Sequence, residues 1–278
     1  MAQTSPRLIG DEPQTDEQAF GAVSPARWQG RTPPDRDWMV EQCFARGTVG
    51  LLSGDGGIGK SLLMQQLCSA AVLGRPWLGL HVAKGPALYL ACEDDHDELW
   101  RRQASICRAL GAQMDDVAEL QLVPRVGRDN ALFFLDRREW RMKPRPLYEY
   151  LYRRAREHAI SYVIIDTATQ TFRGNQNDET QVVEFINHLR RLAIAIQGVV
   201  ILTKHPSMAG RALGTGESGN VAWNNSVRSR LYLHQDKAGL HLQTMKSNYG
   251  TKGGKITLKW ERGVYVLDES PRAPDPYR

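Results

Sequence analysis

The chain has 278 residues, 41% hydrophobic and 24% charged, which supports a packed core and excludes the composition of a disordered chain. With 36 basic against 31 acidic residues the formal net charge is +5, mildly favourable to a polyanionic partner. Residues 61–74, an uncharged apolar stretch, fall short of the ~20 residues of a membrane helix, and the opening segment holds Asp11 and Glu12 without an apolar core, so neither a membrane protein nor a secretory signal is expected.

Residues 1–37, rich in Pro, Gln, Asp and Arg, read as a flexible arm, with Pro33-Pro34 a stiff connection into the fold. Residues 38–268 read as one α/β domain and residues 269–278 as a flexible tail. After the apolar pieces Trp38-Met39-Val40 and Cys43-Phe44, the pattern predicts a strand over 48–53 and a helix over 61–73. A strand over 87–92 and a helix over 98–110 follow, the latter with Leu99, Gln103, Ile106 and Leu110 at helical spacing and Gly111 as its stop. Next come a short strand at 120–123, a basic amphipathic helix at 147–160, a buried strand at 162–166, a helix at 180–197 and a strand at 199–203. Short alternating runs at 230–234, 240–245, 256–260 and 264–267 read as an antiparallel meander that extends the sheet. The expected fold is therefore a mainly parallel twisted sheet with helices on both faces. Cys43, Cys68, Cys92 and Cys107 form no Cys-x-x-Cys pair, and the histidines are scattered. Neither a zinc cluster nor a disulfide framework is expected; reduced, mostly buried thiols in a cytoplasmic protein are.

Gly54, Asp55, Gly56, Gly57, Ile58, Gly59, Lys60 and Ser61 match G-x-x-x-x-G-K-[ST] between a predicted strand and a predicted helix, with Leu62 continuing into that helix. Glycines permit the tight turn that aims backbone N–H groups at phosphates, Lys60 adds a compact charge for the β/γ oxygens, and Ser61 can ligate Mg²⁺. A carboxylate at a neighbouring strand end completes such a site, and Asp166 follows Tyr162-Val163-Ile164-Ile165. Glu93, directly after an apolar strand, is a candidate to orient or deprotonate water, while Asp94 and Asp95 read as acids favoured by the following helix dipole. Lys204 and His205 leave another buried strand, either to sense a γ-phosphate or simply to start a solvated loop. Gly210, Gly214, Gly216 and Gly219 imply a loop that orders on binding or a plain linker. Arg228, Arg230 and Lys246 come after every phosphate-binding element and are candidates to reach a neighbouring subunit's nucleotide.

Taken in order, the run into the Gly-rich loop, YLACEDD, YVIIDT, ILTKH, the second Gly-rich loop, SVRSRLYL and MKSNYG resemble the RecA-like ATPases that include the plasmid RepA hexameric replicative helicases. The resemblance spans roughly residues 38–267. It implies a RecA-like core, a homohexameric ring with ATP and Mg²⁺ between subunits, and single-stranded DNA in a central channel. It gives Lys60 and Ser61 the phosphate and metal, Asp166 the Walker B role and Glu93 the catalytic role. His205 becomes the γ-phosphate sensor, Arg228 the arginine finger from the neighbour and Lys246 a second cation from the same side. Lys204 stands where these helicases tend to carry the first residue of a His-His pair. The leading expectation is an ATP-hydrolysing helicase. The alternative is a RecA-like ATPase that switches assembly without unwinding, and a small-molecule kinase is less favoured. For DNA contact, the basic stretch Arg137, Arg138, Arg141, Lys143, Arg145, Arg153, Arg154 and Arg156 reads mostly as a solvated helix face with Leu147, Leu151, Ala155 and Ala159 inward. The second Gly-rich loop with Arg211 is the better channel candidate. Trp223 could stack on a base or belong to the core.

Overall fold

The computed structural model describes residues 21–217 and 219–269. The first twenty residues of the expected arm, and the expected tail beyond residue 269, lie outside the described residues. Two compact units divide between Arg36 and Asp37. In the first, Ser24 caps a single 3-10 turn, Pro25–Trp28, with no buried residue.

The second unit opens with β1 (Trp38–Val40) and β2 (Phe44–Ala45), a small antiparallel pair. A strand buried throughout, β3 (Thr48–Gly54), then leads to α1 (Lys60–Leu73), which ends on left-handed Gly74. β4 (Ala87–Ala91) precedes α2 (His96–Leu110), where the Asp95 carboxylate accepts from Glu98 N at 2.8 Å and Gly111 closes the helix. The edge strand β5 (Leu120–Pro124) is followed by a hairpin, β6 (Phe133–Asp136) and β7 (Arg141–Pro144), and by α3 (Pro146–Glu157) with proline in its first turn. β8 (Tyr162–Asp166) runs into a single turn, α4 (Ala168–Thr171). The long helix α5 (Glu179–Ala195), capped by Asp178, returns the chain to β9 (Val199–Lys204). Two short helices, α6 (Met208–Ala212) and α7 (Ala222–Ser226), precede β10 (Ser229–Asp236), β11 (Gly239–Ser247), β12 (Lys255–Glu261) and β13 (Val264–Leu267).

Among the described residues the main sheet has the order β13-β12-β11-β10-β3-β9-β8-β4-β5. β10 through β5 run parallel, and the three strands beyond β10 are antiparallel, in agreement with the expected meander. Side-chain alternation divides the core between two faces. Leu52, Tyr89, Ile164 and Ile201 pack with Leu63 and Leu67 of α1 and Leu99 of α2. Leu51, Leu90, Ile165 and Leu202 pack with Leu151 of α3 and with Val182, Phe185 and Leu189 of α5.

Two expectations need correction, and the choice left open for Trp223 is decided. The basic residues from Arg137 to Lys143 lie on the β6–β7 hairpin and its turn, not on a helix, which starts only at Pro146. Leu151 and Ala155 face inward, but Ala159 is exposed beyond the helix end at φ 49°. Trp223 is a core residue: it is fully buried, edge-on to Phe172 and Phe185, and donates from its indole to Gln176 O at 3.3 Å.

All four cysteines are free and buried. Burial pushes the thiols of Cys43 and Cys92 up to about 12 and raises Cys68 as well. Since the thiolate is the reactive form, a chromogenic disulfide reagent near pH 8 should label the native chain only slowly and all four thiols once it is denatured. Prompt labelling of the native chain would overturn this burial.

Candidate functional site

The turn from β3 into α1 depends on backbone that side chains rarely adopt. Gly57 and Gly59 have φ of 72° and 96°. A Cβ at Gly59 would also collide with the Tyr265 ring. Gly59 immediately precedes α1 and no side chain caps that helix, so its first-turn N–H groups lack a side-chain acceptor. Lys60 is buried; its ammonium donates to Gly54 O at 2.9 Å and Asp55 O at 2.8 Å and lies 3.4 Å from His205 Nδ1. Burial lowers the Lys60 pKa, against the opposing pull of Asp166, Glu93 and Asp55.

Asp166, 2% exposed, ends β8 next to Thr203 of β9 and Ala91 of β4. Tyr89 donates to its Oδ2 at 2.5 Å and Thr203 to its Oδ1, so neutral hydroxyls hold a buried carboxylate in place. Glu93 is nearby: Thr167 Oγ1 donates to Glu93 Oε1 at 3.4 Å. The residues leaving β9 divide. His205 faces the cleft, where burial and then Lys60 push its pKa down, so the ring is neutral near pH 7. Lys204 does not line the cleft; it is buried 4.4 Å over the Trp223 ring, donates to Gln176 Oε1 at 2.8 Å, and burial lowers its pKa to about 8.

Lys60, Ser61, Leu62, Glu93, Asp166 and His205 thus line one cleft of about 490 Å³. The donor set fits a magnesium–nucleotide: an uncapped helix start and Lys60 for phosphate oxygens, the Ser61 hydroxyl and Asp166 carboxylate for a hard cation. The far wall was not legible in the sequence. Trp260, 61% exposed, stands edge-on to Tyr265 at 5.3 Å, and the Tyr265 hydroxyl donates to Ile58 O at 2.9 Å. Arg102 of α2 lines the same cleft, clamped by both Asp94 oxygens and by Glu98 Oε1. Asp94, expected only as an acid before the helix, also holds an arginine, and Asp95 caps the helix start.

The family described as "AAA domain" matches residues 14–211, which include the phosphate loop, Glu93, Asp166 and His205. The chain belongs to this AAA family. Among solved structures, the chain is similar to a KaiC-like protein from the hyperthermophilic archaeon Pyrococcus horikoshii OT3, with a TM-score of 0.56 and 16% identity over 85% of this chain and all of that one. The shared fold is RecA-like, with a P-loop ATPase core.

The strands beyond the AAA match supply a second group of cations. Arg228 N donates to Val49 O, so this residue sits five positions before the Gly54 level, about 16 Å from the phosphate loop at ~3.3 Å per residue. Its guanidinium meets the Asn248 amide oxygen at 3.1 Å once that amide is turned to satisfy both partners. Lys246 donates to Asn224 O and Asn225 O, and burial and then Arg228, Arg230 and Arg190 lower its pKa. Arg230 is buried and donates to Thr215 O at 2.6 Å. The second Gly-rich loop is not simply open: Ser207 N donates to Glu217 O, and Thr215 and Gly216 donate to Gly210 O. Arg211, expected toward a channel, lies 2.8 Å from Asp55 of the AAA phosphate loop.

Thr203→Val removes a donor from a buried carboxylate at nearly constant volume. It should lower the unfolding free energy by about 1.5–3 kcal/mol in urea titrations at neutral pH. An unchanged midpoint would mean that Asp166 does not depend on this hydroxyl.

Proposed function

We propose that the chain hydrolyses ATP as a homohexameric helicase of the plasmid RepA type, with each nucleotide held between two subunits and single-stranded DNA as the track. The observation that carries this reading is the Arg190, Arg228 and Lys246 group. Burial first and then Arg228 lower the pKa of both Arg190 and Lys246, and no carboxylate is among the causes acting on Lys246. Arg228 sits about 16 Å from its own phosphate loop at ~3.3 Å per residue, so a neighbour's phosphates are the fitting counter-charge. In this reading Lys60 and the N-terminus of α1 bind the β- and γ-phosphates. Ser61 and Asp166 hold Mg²⁺, which supplies charge neutralisation when bound. Glu93 accepts the proton of the attacking water as the bond from the γ-phosphorus to the β–γ bridging oxygen breaks. His205, beside Lys60, donates its ring N–H to a γ-phosphate oxygen. Arg228 is preferred as the finger because Arg230 is spent on Thr215 O. The purine stacks against Trp260 and Tyr265.

A second reading, an assembly switch without unwinding, draws on the Arg211–Asp55 pair, which ties the second Gly-rich loop to the phosphate loop. Steady-state hydrolysis and strand displacement, measured with and without single-stranded DNA on protein of known solution mass, separate the two. Stimulated turnover with displacement by a ring-sized species supports the helicase; a DNA-independent rate without displacement supports the switch.

Arg228→Ala should bind ATP normally yet lose about 10³-fold or more in turnover. Mixing it with Lys60→Ala subunits, inactive alone, should restore a fraction of the rate. Full turnover by Arg228→Ala would overturn the shared site. Trp260→Ala should raise the KM for ATP about tenfold, in line with base–aromatic stacking; an unchanged KM would remove Trp260 from the base site.

A further inference from the structure

Segment 125–157 carries ten Lys and Arg residues against five Asp and Glu, a surplus equal to the formal net charge of the whole chain, +5. The β6–β7 hairpin projects from this segment. Its register pairs Phe133 with Pro144, Phe134 with Lys143, Leu135 with Met142 and Asp136 with Arg141, so alternate residues occupy opposite faces. The inner face is fixed to α5. Met142 N donates to Glu184 Oε2 at 2.8 Å, and the Phe133 ring stacks on His188 at 4.7 Å.

The outer face and the tip are different. Phe134 is 41% exposed and Trp140 70% exposed, with Trp140 held at φ 51° in the turn. Both acids of the hairpin, Asp136 and Glu139, are taken by Lys143 at 2.7 Å. Arg137, Arg138 and Arg141 are left exposed, with no carboxylate partner among the described residues. Exposed rings interleaved with uncompensated guanidiniums match the chemistry of a single strand, whose bases offer faces to stack and whose phosphates need cations. A duplex presents phosphates but keeps its base faces covered.

We infer that the β6–β7 hairpin is a contact for single-stranded nucleic acid, with bases on Trp140 and Phe134 and phosphates on Arg137, Arg138 and Arg141; this rests on the single-strand function proposed above. At the hairpin's root a hollow of about 470 Å³ is lined by Arg125, Arg145, Tyr150 and Asp129, and Asp129 pairs with Arg145 at 2.7 Å, so the uncompensated cations are those of the hairpin itself. The root is also bonded to the segment after Asp166, through Leu132 N to Thr171 O at 3.0 Å. An occupied hairpin is thereby connected to the strand that carries the cleft carboxylate.

The test is fluorescence anisotropy of a labelled oligothymidylate over a range of salt concentrations, with oligouridylate in parallel. Trp140→Ala should weaken binding about tenfold while Trp140→Phe, which keeps a ring to stack, stays near the parent. The triple variant R137A/R138A/R141A should flatten the salt dependence by about 0.7 in log–log slope for each phosphate that it no longer neutralises. All three variants change exposed side chains, and matching thermal melts verify that the fold is intact. If the parent chain binds and every variant binds equally, the hairpin assignment is wrong and the single-strand function stands. If the parent chain binds neither oligonucleotide, that function falls and the hairpin assignment falls with it.

Discussion

The site depends on one constraint: four adjacent parallel strands end along a single edge. Register places Ser53 beside Lys204, Leu52 beside Thr203, and Ala91 beside Asp166. Whatever residue follows each strand must then emerge within a few ångströms of its neighbours, because strands lie about 4.8 Å apart. Lys60, His205, Asp166 and Glu93 come from sequence positions up to 145 residues apart, yet the hydrogen-bond ladder alone brings them into one cleft. A register slip of one residue in β8 would turn Asp166 to the opposite face and replace it with an apolar side chain or a threonine.

Burying charge at that edge has a cost that the surroundings offset locally. Asp166 is supported by two hydroxyls rather than by a cation in direct contact, and Lys60 occupies itself with two carbonyls of its own loop. Both charges are thus partly satisfied yet exchangeable. An arriving phosphate can displace weak carbonyl partners more readily than it could break a close ion pair.

Local patterns are legible where chemistry and periodicity coincide. The strand before Gly54, the apolar run before Asp166 and the helix over 179–195 each carry a periodic signal and a stop, and their observed bounds differ by a few residues at most from those expected. Thr203 and Tyr89 are not legible as supports for Asp166, because an ordinary strand hydroxyl gains that role only once strand order is known. Trp260 and Tyr265 enter the cleft from about 200 residues downstream of the phosphate loop, across a sheet edge that periodicity does not locate. The β6–β7 hairpin hides within a helix-like pattern because ten cations in a short span mask a brief alternation of Phe133, Leu135 and Met142.

Tyr265 leans on the phosphate loop closely enough to forbid a side chain at Gly59, and its hydroxyl ends on Ile58 O. The loop therefore has two builders: the AAA-matched core, which fixes where phosphates can sit, and a terminal hairpin that bounds the opposite side. β12 and β13 stand at the outer edge of the sheet, yet Gln66 of α1 is bonded to the Tyr265 backbone and Val264 packs on Leu62 and Ile106, so helix and strand together hold this hairpin against the loop. A change in β13 is therefore felt at the phosphate loop through Tyr265, although the two segments lie about 200 residues apart in the chain.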